Sequence, residues 1–195
     1  MSEVHDPIGE FGELFERAQA APEPGDVTAC ALATAGRDGA PSVRMVLLKQ
    51  FDQDGFVFYT NFESRKAVEL DEDPRAALCF YWISIDQQVR IEGPATRIPD
   101  EESDAYFATR GRLSRLAAWA SKQSRVLESR GELLRRFAEA ELRYPVGPVP
   151  RPPFWGGYRL QPDRIEFWSN KPHRLHDRRE FTRKGEGWQM RRLYP

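Results

Sequence analysis

Between residues 27 and 61 the apolar positions come in short runs separated by Asp-Gly turns: VTACALAT, GRDG, APSVRMVLLKQF, DQDG and FVFYTN. Runs this short, rich in Val, Thr, Phe and Tyr, predict strands joined as hairpins, because Asp-Gly accepts the positive φ of a tight turn. AALCFYWIS and QQVRIEGPATRI predict a further antiparallel pair. FWGGYRL, RIEFWS and a last hairpin, HDRREFTRK with GWQMRRLYP turning at Gly185 and Gly187, predict a closing sheet over about 154–195. Helical period appears in three places. Phe11, Leu14 and Phe15 repeat at helical spacing over 7–20, before APEPGD stops the helix. Ser64 stands where it can cap a short helix, RKAVELDED, that Pro74 ends. From 100 to 143 the pattern is helical, with an acidic first turn, DEESDAYFATR, and with Leu134, Phe137 and Ala138 on one face of the last segment. PVGPVPRPP reads as a fixed connector. Strand meander, helical insert at about 100–143 and closing sheet amount to one α+β domain over 1–195, built round an antiparallel barrel.

Composition narrows the classes. The chain has 195 residues, 30% charged and 40% hydrophobic, which suits a globular domain with a real core. No apolar run approaches the roughly 20 residues of a membrane span. The stretch MSEVHDPIGEFGELFERA is acidic and lacks an apolar core, so it does not read as a secretory signal, and the expectation is a cytoplasmic protein. A net charge of −1 argues against binding nucleic acid through its phosphates. The basic end of the chain carries aromatic residues at strand spacing and reads as folded structure. Cys30 and Cys79 sit in apolar runs with no CxxC, which predicts buried thiols. His173 and His176 have no third ligand at a convincing spacing, so no metal is expected. The chain has no GxGxxG, Walker loop or GxSxG elbow.

Four stretches carry candidate chemistry. In TNFESRKA, Arg65 and Lys66 stand at a helix start, where the backbone dipole already places positive charge. Cations there repel the dipole unless an anion sits between them. The stretch therefore reads either as a phosphate site or as a solvated, salt-bridged turn. In SVRMVLLKQF, Arg44 and Lys49 are an odd number of residues apart and face opposite sides of a regular strand. One of them meets the interior or a subunit contact, and needs a carboxylate or an anionic ligand. In YFATRGRLS, Tyr106, Arg110 and Ser114 recur at i, i+4 and i+8, one face of a continuous helix, although Gly111 weakens continuity. In EFWSNKPHRLHDR, Arg174, His176 and Arg178 alternate at period two, giving one polar row beside Trp168 if the segment is extended. An anionic aromatic ligand and plain solvent both suit such a row.

Taken in order, RMVLLK (44–49), FYTNFESRKA (58–67), WASKQS (119–124), FWGGYRL (154–160) and EFWSNKPHRLHDR (166–178) resemble the pyridoxamine 5′-phosphate oxidase family, and the similarity runs from about the first helix to the terminal RRLYP. The resemblance implies an FMN-binding split β-barrel, antiparallel and Greek-key-like with flanking helices, in a homodimer with FMN at the subunit interface. By position it implies FMN contacts from Arg44, Met45, Val46, Leu47, Leu48, Lys49, Tyr59, Thr60, Arg65, Lys66, Gln88, Gln123, Ser124, Trp168 and Arg178. It implies substrate contacts from Lys49, Tyr106, Arg110, Ser114, Arg174, Leu175 and His176. Arg174 and His176 would be the catalytic pair, Arg174 positioning the substrate and His176 handling protons. The implied reaction oxidises pyridoxamine or pyridoxine 5′-phosphate to pyridoxal 5′-phosphate. Hydride passes from C4′ to flavin N5, and dioxygen becomes hydrogen peroxide. Family members often carry a longer N-terminal arm whose Arg and Tyr cover the substrate. No such pair precedes DPIGEFGELFERA here, so closure is expected to be looser or to come from another segment. A phenazine-type FMN oxidase and a non-catalytic flavin or pyridoxal phosphate binder are the competing readings, and the phosphate set Lys49, Tyr106, Arg110 and Ser114 argues against the first.

Overall fold

The computed structural model describes residues 6–22 and 24–195. The chain runs α1 (Pro7–Ala20), β1 (Ala29–Ala35), β2 (Pro41–Leu47), β3 (Gln50–Asp52), β4 (Gly55–Asn61), α2 (Arg65–Glu72), β5 (Arg75–Trp82), β6 (Gln87–Arg97), α3 (Asp100–Thr109), α4 (Arg112–Ala120), α5 (Arg130–Arg143), β7 (Trp155–Leu160), β8 (Arg164–Ser169), β9 (Asp177–Lys184) and β10 (Gly187–Arg192). All strand pairs are antiparallel along the order β10-β9-β8-β6-β5-β1-β2, with β7 joining β6 to β4 and β4 pairing β3. β6 serves both parts. Its first half pairs with β8 and its last residues, Ala95–Arg97, pair with β7. Gly93 marks the change: a Cβ there would lie 1.9 Å from the Gln161 carbonyl oxygen, so only glycine lets the β7–β8 connection cross so closely. The sheet curls into an open, split β-barrel.

Alternation closes the core. In β1, Cys30, Leu32 and Thr34 point inward while the alanines between them face out. α1 plugs one end of the barrel. Asp6 caps it by accepting from the Gly9 N–H at 3.0 Å. Phe11, fully buried, meets Phe56 edge-on at 4.9 Å and Phe80 at 5.2 Å between ring centres. The expected strands and helices over the described residues are present, most with ends shifted by a residue or two, but the run APSVRMVLLKQF is two strands, β2 and β3, parted at Leu48–Lys49.

Several local expectations are corrected. The 100–143 segment is three helices, broken at Arg110–Gly111, where both residues have extended backbone angles, and again over 121–129. α5 buries Ala140 with Phe137 against Leu116 of α4, whereas Leu134 is 59% exposed and Ala138 is also on the open side. Helical period put all of these near one stripe, and the angle at which α4 crosses selects among them. Cys30 is buried, which pushes its thiol up to about 12, but Cys79 is half-buried on the outer face of β5. The stretch before DPIGEFGELFERA, where the sequence carries no Arg and Tyr pair, is residues 1–5 and lies outside the described residues. No helix among the described residues is long and apolar enough to cross a membrane.

Candidate functional site

A cavity of about 500 Å³ opens between β4, β7, α3 and α4. Its walls include Leu47, Lys49, Tyr59, Thr60, Tyr106, Arg110, Ser114 and Gln123, all named from the sequence, together with Trp155, which was not. Adjacent glycines bring α3 onto the sheet. A Cβ on Gly156 would sit 2.4 Å from Phe62 Cζ, and one on Gly157 would sit 2.5 Å from Ile98 Cδ1. The Gly157 N–H donates to Ser103 Oγ of α3 at 3.2 Å. Tyr59, Tyr106 and Trp155 then stack almost in parallel, Tyr59 to Tyr106 at 4.0 Å and Tyr59 to Trp155 at 5.2 Å. Burial raises both phenols, Tyr59 to about 12, with Glu102 and Tyr106 adding to the rise at Tyr59. Neither supplies a base near neutral pH.

Arg110 ends this stack. Its guanidinium carbon lies 4.8 Å above the Trp155 ring and 5.4 Å from Phe107, and its Nη1 is buried with no hydrogen-bond partner. Burial lowers its pKa, with Tyr106 opposing. A buried guanidinium N–H facing no acceptor is costly, and a cavity lined by Lys49 and Ser114 beside it suits an incoming anion. Tyr106, Arg110 and Ser114 thus share a wall although no continuous helix carries them; the break at Gly111 folds α4 back over the same space.

A second cationic centre adjoins the cavity through Thr60 and Gln123. Lys66 is 8% exposed, and its ammonium reaches only neutral oxygens: Thr60 Oγ1 at 3.2 Å, Ser64 Oγ at 3.4 Å and Gln123 Oε1 at 3.4 Å. Burial, and then Arg44, lower its pKa to about 8 against the opposing pull of Glu69. Ser64 occupies the cap position of α2 but makes no cap hydrogen bond; its buried hydroxyl turns to Thr60 and Lys66 instead. The first turn of α2 holds no acid. Arg65 is largely exposed and bonds Glu69 Oε1 at 2.7 Å. Arg44 also pairs with Glu69, at 3.2 Å. That pair supplies the carboxylate an inward-facing Arg44 needed. The strand ends at Leu47, so Lys49 lies past it on the exposed cavity rim rather than on its opposite face. Along 44–48, Met45 is exposed, Val46 half-buried and Leu48 buried, so these side chains do not share one direction. Ser124, with φ +70, lines a smaller 230 Å³ pocket next to Gln123.

The remaining residues form a separate group. Gln88, Trp168 and Arg178 are cross-strand neighbours on β6, β8 and β9. Arg178 donates from Nε to Glu166 Oε1 at 2.8 Å and from Nη1 to the Tyr194 carbonyl at 2.9 Å. His176 packs against Trp168 at 4.7 Å between ring centres, and its Nδ1 accepts the Lys171 N–H at 3.2 Å. The neutral ring therefore carries its proton on Nε2. The expected period-two row is corrected at Arg174: Pro172–Arg174 is a 3-10 turn in which His173 and Arg174 have φ near +60, so Arg174 leaves the strand that holds Arg178. Leu175 is 69% exposed. Gln88 and the β7-paired residues lie at opposite ends of β6, an 11-residue strand of about 36 Å. None of Gln88, Trp168 and Arg178 lines the cavity. Glu69 and Trp155 escaped the sequence reading. Acid at i+4 from Arg65 was the available signal for Glu69, and the aromatic residue before the double glycine was that for Trp155.

Comparisons place this geometry. The pattern of pyridoxamine 5′-phosphate oxidase matches residues 17–144, and that of the pyridoxine 5′-phosphate oxidase C-terminal dimerisation region matches 155–195. A pyridoxine/pyridoxamine 5′-phosphate oxidase of Rubrobacter xylanophilus is 58% identical over 97% of this chain and 87% of the relative. One from Anaeromyxobacter dehalogenans is 54% identical over 100% and 98%. PhzG from Burkholderia lata 383, crystallised with tetrahydrophenazine-1-carboxylic acid, superposes with a TM-score of 0.92 at 34% identity, covering 100% of this chain and 95% of that one. A pyridoxamine 5′-phosphate oxidase-related, FMN-binding protein from Nostoc punctiforme shares the fold, with a TM-score of 0.78 at 18% identity over 99% and 100%. With both halves matched and relatives more than half identical along almost the whole length, the chain belongs to the pyridoxamine 5′-phosphate oxidase family, a family of oxidoreductase enzymes.

Proposed function

We propose that this protein oxidises pyridoxamine 5′-phosphate and pyridoxine 5′-phosphate to pyridoxal 5′-phosphate, with FMN as cofactor and dioxygen as final electron acceptor. The observation that carries this is a pair of cationic groups, the buried Lys66 ammonium and the buried Nη1 of half-buried Arg110, that border one region without a carboxylate contact. Two phosphates, one on the flavin and one on the substrate, suit two such centres. FMN fits the first: a buried ammonium among hydroxyl and amide oxygens is a poor resting state and a good phosphate site. Lys66, Arg65 and Arg44 would hold its phosphate. Thr60, Gln123 and Ser124 would add hydrogen bonds, and Met45 to Lys49 with Tyr59 would flank the rest. Arg110, Lys49, Tyr106 and Ser114 would hold the substrate phosphate, with Trp155 fixing the guanidinium from below. FMN, when bound, would supply the two-electron acceptor for the hydride of substrate C4′, with dioxygen reduced to hydrogen peroxide as the final acceptor. For the amine, water enters and ammonia leaves; for the alcohol, only the two hydrogens leave.

Arg174 and Leu175 would cover the substrate ring, and His176 would exchange the proton at Nε2. None of Gln88, Trp168 and Arg178 lines the cavity, so we assign them to the FMN held mainly by the other copy of a homodimer. The likeness to PhzG raises a second reading, an unphosphorylated tricyclic substrate. An Arg110 Nη1 with no hydrogen-bond partner, beside Lys49 and Ser114, favours the phosphate ester. Peroxide production by the FMN-loaded protein, measured with both phosphorylated vitamers and their unphosphorylated forms, tests the reading. Turnover confined to the phosphate esters is expected. Equal turnover of both forms, or none, would overturn it.

A further inference from the structure

Glu69 lies on α2 one turn after Arg65 and is 7% exposed. Its Oε2 accepts from Ser42 Oγ at 2.5 Å, Thr34 Oγ1 at 2.6 Å and Arg44 Nη2 at 3.2 Å, and its Oε1 accepts from Arg65 Nε at 2.7 Å. These donors come from β1, β2 and α2, and they fill the about four acceptor positions a carboxylate has. Arg44 is gripped further, donating to the Leu32 carbonyl at 3.4 Å and, at short range, to the Thr34 and Ser42 hydroxyls. An acid serving only to cancel an inward-facing Arg44 needs one cation. This one takes two and leaves Lys66, the next residue of the helix, to neutral oxygens. Three cations around one carboxylate leave two positive charges uncompensated, close to the about two negative charges of a phosphate monoester.

We propose that Glu69 is a positioning residue of the flavin-phosphate subsite, one carboxylate that fixes Arg44 and Arg65 on either side of Lys66. This rests on the FMN reading above. Its carboxyl stays ionised throughout the working range: burial pushes it up, but the hydrogen bonds from Ser42, Thr34, Arg65 and Arg44 bring it to about 2. The charged groups acting on the Lys66 ammonium are Arg44 from β2, which disfavours its charge, and Glu69 from α2, which favours it. Removing the Glu69 charge therefore frees both guanidiniums and shifts the loss of the Lys66 proton to lower pH.

FMN binding to the apoprotein, followed by quenching of flavin fluorescence between pH 6 and 9.5, tests this without turnover. In wild type the affinity falls as pH rises through about 8, where Lys66 deprotonates. Glu69→Gln keeps the size, removes the charge and sets an amide N–H against a guanidinium. It is expected to weaken FMN about tenfold at pH 7 and to move the fall to lower pH. Glu69→Asp keeps the charge but is a methylene too short to reach both guanidiniums. It is expected to weaken FMN a few-fold with the fall left in place. Wild-type affinity in Glu69→Gln would overturn the proposal while leaving the FMN reading intact. If that variant melts before the measurement, wild-type affinity in Glu69→Asp overturns it equally. Wild type that binds no FMN while Lys66→Ala behaves identically would overturn both.

Discussion

Lys66 and Arg178 are cations from opposite ends of the sheet system, and the molecule treats them differently. Lys66 is buried among oxygens that carry no charge, while Arg178 is wedged between the Glu166 carboxylate and the Tyr194 carbonyl. The first is underserved as it stands and gains when an anion arrives. The second is already satisfied, and gives shape and a partial contact rather than a vacant charge. A desolvated cation without an acid leaves charge for an incoming anion to meet; a cation already held by its acid, as Arg178 is, can add donors to a site but little unmet charge. Arg110 belongs with Lys66 by this criterion, since its Nη1 is buried and unpaired.

The largest expected effect breaks the comparison at Arg110. Arg110→Ala should raise KM for pyridoxamine 5′-phosphate about 100-fold, the scale of losing charge-assisted hydrogen bonds in a desolvated site. FMN content should stay at wild-type level, because Lys66 and its partners are untouched. A KM within twofold of wild type would mean that the anion lies elsewhere. Lys66→Ala comes next, with FMN dissociation constants raised about 30-fold in equilibrium dialysis. Retention of flavin equal to wild type would remove Lys66 from the phosphate site. Arg174→Ala should lower kcat about tenfold and change FMN affinity less than twofold, because Arg174 stands on the 3-10 turn after β8 and the proposed phosphate cations Arg65 and Lys66 on α2. Matched losses in both quantities would deny it a role on the substrate side.

The legible parts were those governed by local rules. Alternation and Asp-Gly turns gave the strands, and spacing gave α1 and the helical insert. The cavity set Lys49, Tyr59, Thr60, Tyr106, Arg110, Ser114 and Gln123 was assembled by resemblance and is brought together by the fold. Harder to see was anything decided by tertiary approach. Period two over 174–178 suggested one row, but positive φ at His173 and Arg174 is a property of the backbone path, not of residue pattern. Tyr106 and Ser114 share a wall because α4 turns back, not because a helix runs through. The Arg44–Glu69 pair joins residues on β2 and α2, and only the curl of the sheet against that helix brings them into contact. The partners of Arg178 were likewise invisible, since Glu166 is one strand away and Tyr194 lies in the tail.

The smallest expected effect tests the scaffold side of the comparison. Glu166 is 3% exposed and holds both Arg90 and Arg178. Burial pushes its carboxyl up, yet the Arg178 hydrogen bond and the charges of Arg90 and Arg178 outweigh that and leave its pKa below the ordinary range. A carboxylate with a depressed folded pKa contributes stability that is present above its unfolded value, about 4.3, and is lost as pH falls through the folded value. Glu166→Gln keeps the shape and removes the charge. Because the Arg90 side chain is 41% exposed and screened, the cost near pH 7 should be only about 1 kcal/mol, a Tm lowered by roughly 2–4 °C. The gap to wild type should narrow as pH drops below about 4.3, where the unfolded wild-type chain takes up the proton first. A gap that is constant from pH 7 to pH 3 would show that packing, not charge, holds Arg178. A gap that widens on acidification would reverse the assignment, making Glu166 protonated in the fold and Arg178 another cation awaiting an anion.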